Sequence, residues 1–161
     1  MNDLPIEIVR SERRKSTLQA SVVAGTIRVM VPAGMPRDEE QRLVDKLVAR
    51  IRRTVEAGTV DLPTRASALA RRFDLPEPSE ISWSARQNTR WGSCTPSRGA
   101  IRISNRLATV PAFVLDYVLV HELAHLAVAG HGRDFEALVG RYELAERARG
   151  YLMALNQSES M

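Results

Sequence analysis

Three histidines, the chain's full complement, fall between positions 121 and 131, in H-E-L-A-H-L-A-V-A-G-H. His121 and His125 are four positions apart, so on a helix they stand one turn apart on the same face, where two imidazoles can share one metal ion. Glu122 lies about 100° round the helix from His121, badly placed for a ligand but within reach of a water on that metal. Two histidines for the metal and a glutamate for the water are the parts of a hydrolytic zinc site.

A catalytic zinc takes three protein ligands and leaves one position to water. His131 is the obvious third. On a straight helix it would point about 240° away from His125, so the helix has to end between them. Gly130 stands where a left-handed stop could turn the chain back toward the metal. The alternative third ligand is a carboxylate on the following helix: Glu136, Glu143 or Glu146. The histidine spacing also fits the metzincin pattern, but that pattern needs glycine at position 128, and Val128 disfavours it.

The flanks say what must carry these groups. Tyr117-Val118-Leu119-Val120 precedes the motif and Leu126-Ala127-Val128-Ala129 follows it. So apolar a helix is buried, and two histidines and a glutamate inside it would be costly without a partner; a metal removes that cost. Pro111 suits a first helical position, which predicts a helix over 111–129. A last helix over 133–155, with Phe135, Leu138, Val139, Tyr142 and Ala145 on one face, should pack against it.

Upstream, residues 6–9 read as a short strand. The β-branched runs 17–23 and 26–31 read as a hairpin turning at Ala24-Gly25. The basic stretch 10–15 reads as a solvated loop or a charged sheet edge. Residues 36–57 form an amphipathic helix with Leu43, Val44, Leu47, Val48, Ile51 and Val55 in one stripe, ended by Gly58. Residues 64–73 form a shorter helix that buries Ala66, Leu69, Ala70 and Phe73. Strands follow at 81–85 and 100–103, joined by a polar loop over 87–99 that contains Trp91.

Composition sets the class. The chain has 161 residues, 44% hydrophobic and 26% charged, as for one ordinary globular domain. It has no run long enough for a membrane span and no apolar leader core at its start. A single cysteine, Cys94, excludes an internal disulfide framework and a four-cysteine zinc site, and fits a reducing cytoplasm. Its small size and place beside a strand suit a packing role better than a metal ligand. The net charge is +4, carried by 21 arginines and two lysines. Without a dense basic run this reflects composition more than a nucleic-acid footprint.

Taken together, R-W-G-S-C at 90–94, G-A-I-R-I-S-N-R-L at 99–107, V-P at 110–111, D-Y-V-L-V-H-E-L-A-H-L at 116–126 and G-H-G-R-D-F at 130–135 resemble the YgjP-like metallopeptidases, relatives of the SprT and WLM peptidases and of the minigluzincins. R-S-E-R-R-K-S and G-T-I-R-V-M-V-P near the N-terminus resemble the opening of that family too. The resemblance implies a small single-domain α+β zincin-like fold over residues 1–155, with an N-terminal β-hairpin or antiparallel sheet packed with helices; the polar residues 156–161 read as a frayed tail. It implies zinc on His121, His125 and His131, with Glu122 as base. One departure is visible: family members carry Phe-Trp after the third histidine, whereas Phe135 is followed here by Glu136.

The chemistry expected is hydrolysis of peptide bonds by a metal-activated water, with Glu122 moving the proton. Arg90, Tyr142 and backbone N–H groups of the 87–99 loop are the candidate oxyanion donors. Trp91 and Arg102 are further candidates for substrate contact, and strand 100–103 could pair with an extended peptide. Asp134, Glu143 or a backbone carbonyl could orient the ligating histidines. Two other readings stay open. Arg86, Arg90, Arg98, Arg102 and Arg106 would serve a nucleic-acid-associated protease or DNA-binding module, or would clamp the phosphate of a small nucleotide-like substrate.

Overall fold

The computed structural model describes residues 4–159. It is an α+β structure with two three-stranded sheets and five α-helices among the described residues. The chain divides into two compact units, Met1–Glu56 and Ala57–Met161.

The first unit contains β1 (Ile6–Ser11), β2 (Gln19–Val23), β3 (Thr26–Pro32) and α1 (Arg37–Ala57). Strands β2 and β3 form the expected hairpin, and Ala24 and Gly25 both take positive φ at its turn, the conformation a tight two-residue hairpin favours. Strand β1 pairs with β3 in parallel, so the sheet is mixed, in the order β1-β3-β2. The most apolar strand takes the centre: Ile27, Val29 and Val31 alternate into the core and meet Val44 and Val48 of α1. The basic stretch after Val9 begins inside edge strand β1, where Arg10 pairs with Glu40 at 2.6 Å.

The second unit is built around α3 (Ala112–Ala127). It packs against α2 (Leu62–Phe73), β5 (Gly92–Thr95), β6 (Ala100–Ser104), α4 (Arg133–Val139) and α5 (Ala145–Glu159). Contact on so many sides explains why α3 is apolar nearly all round. Helix α2 opens on Asp61, whose carboxylate accepts from the Thr64 backbone N–H at 3.1 Å, an N-cap bond. Arg65 of α2 pairs with Asp116 of α3. The second sheet runs β4-β6-β5, where β4 is Glu80–Ser84.

The structure departs from expectation in three places here. The polar loop holds a strand, β5, hydrogen-bonded antiparallel to β6 with Cys94 opposite Ile101. The last helix is two helices, separated at residues 140–144. Helix α5 continues to Glu159, through residues 156–159 that polarity alone assigned to a tail; residues 160 and 161 lie outside the described residues.

Candidate metal centre and active site

Helix α3 presents His121 and His125 one turn apart, as their spacing requires. It then ends at Ala127, two residues sooner than expected. Val128 caps it in an extended conformation, with its N–H on the Ala124 carbonyl at 2.9 Å. Gly130 takes φ of 77°, a left-handed turn that favours glycine. The reversal brings His131 back onto the face of α3. Its Nε2 lies 3.2 Å from His125 Nε2 and 3.4 Å from His121 Nε2. The ligand atoms of the three histidines lie within 4.8 Å of one another, the sole cluster of potential metal ligands of this kind among the described residues.

The rings are held from behind. Phe135, on the first turn of α4, is fully buried with its centroid 4.9, 4.3 and 4.8 Å from those of His121, His125 and His131. His125 Nδ1 lies 3.3 Å from the Val128 carbonyl. A carbonyl can only accept, so Nδ1 carries the proton and Nε2 keeps its lone pair for the shared centre. Burial pushes the His121 pKa down to about 4, helped by the neighbouring His125 and His131, and burial lowers His125 as well. Neutral imidazoles with converging lone pairs form a donor set that fits a divalent metal.

A sequence model of the YgjP-like metallopeptidase domain matches residues 56–149. The chain belongs to that family. The match covers the histidines, Phe135 and the strands beside them. No curated protein and no solved structure matches the chain. The second unit is thus a metallopeptidase domain, a class that uses a metal ion and acts on proteins.

Two clefts meet at His121, Glu122 and Gly92, which line both. The first, about 550 Å³, runs past Arg90, Ser93, Cys94, His125 and His131. The second, about 380 Å³, runs past Trp91, Tyr117, Val118, Leu152 and Met153, with Arg149 on its wall. Glu122 is only 6% exposed, and burial pushes its pKa up to about 7 against the opposing pull of Arg90. The β5 backbone lies directly on it: a Cβ built on Gly92 would sit 2.6 Å from Glu122 Oε1.

The other expected residues divide. Arg90 and Trp91 reach the clefts. Tyr142 lines neither: the break after α4 turns it into the core, where its hydroxyl donates to the Phe113 carbonyl at 3.0 Å and its ring meets Phe73 edge-on. It is therefore withdrawn as an oxyanion donor. Arg102 is exposed and lines neither cleft, because its side chain alternates with those of Ile101 and Ile103, which enter the core. Strand β6 is the central strand, paired on both edges, so it has no edge to offer a peptide; the edge strand at the cleft is β5. Arg106 is 7% exposed, its guanidinium 3.8 Å over the Trp91 ring, and is unavailable as a phosphate clamp. Arg86 and Arg98 are exposed outside both clefts.

The carboxylates considered as alternative ligands are engaged with arginines. Glu136 and Glu146 each bind Arg149 at 2.7 Å, and Glu143 faces Arg72 at 3.3 Å. Asp134 is exposed at the start of α4, outside the ligand cluster. Burial pushes the Cys94 thiol up to about 11, with Glu122 adding to the shift, and Cys94 lies outside the histidine cluster. Sequence reasoning missed Arg149, whose guanidinium donates to Tyr117 Oη at 2.9 Å as well as to the two glutamates. It also missed Gly92. No local pattern marks either residue; the α4–α5 break and the pairing of β5 bring them to the site.

Proposed function

We propose that the protein is a zinc-dependent peptidase that hydrolyses peptide bonds at the junction of the two clefts. The observation that carries this reading is the spacing of the imidazoles. Two nitrogens bound to one tetrahedral zinc at about 2.0–2.1 Å stand about 3.3 Å apart. Two of the three Nε2 separations here are 3.2 and 3.4 Å, and the ligand atoms of all three histidines lie within 4.8 Å of one another. His121, His125 and His131 would hold the ion, with Phe135 fixing their rings and the Val128 carbonyl fixing the His125 tautomer.

Zinc, when bound, supplies Lewis acidity and makes water acidic enough to react near neutral pH. Glu122, buried beside the histidines, takes a proton from water and returns it to the leaving amine. Edge strand β5 offers its backbone to an extended peptide, and Arg90 supplies positive charge where the carbonyl oxygen develops negative charge. No helix among the described residues is long and apolar enough to cross a membrane. The lone thiol, Cys94, suits a cytoplasmic protein.

The test is metal content. Elemental analysis of the purified wild type, His131→Ala and Glu136→Ala should give one zinc per chain in the wild type, loss in His131→Ala and retention in Glu136→Ala. A wild type that stays empty with zinc supplied would end the hydrolase reading.

A further inference from the structure

We infer that the cleft between Trp91 and Leu152 is the pocket for a bulky uncharged side chain of the peptide substrate, aliphatic or aromatic, beside the bond that is cut. The inference deepens the peptidase reading and rests on it for the identity of the occupant.

Three observations carry it. The first is continuity: this cleft shares His121, Glu122 and Gly92 with the cleft that holds His125 and His131, so it lies beside the place where the bond would be cut. The second is its lining. Trp91, Tyr117, Val118, Leu152 and Met153 supply a largely apolar wall around about 380 Å³, room enough for a leucine or phenylalanine side chain. The third is charge. The cation on that wall, Arg149, gives its Nη atoms to Glu136 and Glu146 and its Nε to Tyr117. Its charge is thus met by two carboxylates, so the wall offers no uncommitted cation to an acidic side chain or a phosphate. Glu136 thus acts on selectivity through Arg149 and lies outside the histidine cluster.

Trp91 provides a reporter independent of activity. Its indole N–H resonance can be followed in the metal-free protein while blocked Gly-Leu-Gly, Gly-Ala-Gly and Gly-Glu-Gly are titrated in, with Trp83, which lines neither cleft, as the internal control. The leucine peptide should bind at least about tenfold tighter than the alanine peptide, as filling an apolar pocket requires. The glutamate peptide should leave Trp91 unmoved. Met153→Glu, at a residue 65% exposed and therefore safe for folding, should erase the leucine preference. Equal binding of leucine and alanine, preference for glutamate, or no response of Trp91 to leucine would overturn the assignment. Failure of the peptidase reading looks different: the leucine preference would persist in the titration while the zinc-loaded protein cut no peptide.

Discussion

Gly92→Ala isolates the role of Glu122 without touching Glu122. An added Cβ would lie 2.6 Å from Glu122 Oε1, 2.8 Å from its Cγ and 3.0 Å from its Cδ. Ordinary contact begins at 3.4 Å, so the carboxylate must move by about 0.8 Å. The moving atoms are the end of a flexible side chain, so the fold should absorb the change at about 1–3 kcal/mol, the usual cost of overpacking. Catalysis is less forgiving, since a misplacement near 1 Å can lower a rate about a hundredfold. The expected result is a fall in kcat of about ten- to a hundredfold with unchanged zinc content, because no histidine is touched. In a Glu122→Gln background the same substitution should cost little more, since the two act on one group. The assay is peptide hydrolysis followed beside metal analysis. Cleavage at the wild-type rate by a folded, zinc-loaded Gly92→Ala protein would refute the proposal that Glu122 must stand where β5 holds it.

Glu122→Gln should retain zinc and lose about 10²–10⁴-fold in kcat, read from hydrolysis with metal content as control; undiminished cleavage would remove Glu122 as the base. Phe135→Ala should lower unfolding free energy by about 3–5 kcal/mol in urea titrations and weaken zinc binding, since it empties the space behind three rings. Tyr142→Phe should cost about 1 kcal/mol for the lost bond to the Phe113 carbonyl and leave kcat unchanged; a large fall in kcat would return Tyr142 to the site.

What could be read from the sequence was what local spacing encodes. The i, i+4 histidines, the glycine that turns the chain toward His131, the Ala24-Gly25 hairpin and the stripe of α1 all depend on residues near one another in the chain. Strand β5 was hidden because Gly-Ser-Cys-Thr has neither alternation nor branched apolar residues. Pairing with Ile101 and Ile103 of β6 makes it a strand. The break after α4 was hidden because residues 133–155 keep a helical apolar period through the gap. Gly140 permits a close approach there: a Cβ on it would sit 3.0 Å from the Glu136 carbonyl. That break decides the fates of Tyr142 and Arg149, while those of Arg102 and Gly92 follow from the pairing of β6 and β5.

Helix α4 has seven residues, about two turns, too short to persist in water by itself. Its order is borrowed from Phe135, the fully buried ring it lodges in the core. His121 and His125 sit on a sixteen-residue helix packed on several sides, whereas His131 hangs on the short segment between Gly130 and α4. The three imidazoles therefore differ in persistence. A local opening that frees α4 would swing His131 away and leave the other two in place, at a cost far below global unfolding. Amide protons of residues 130–139 should therefore exchange faster than those of α3, as hydrogen exchange would read.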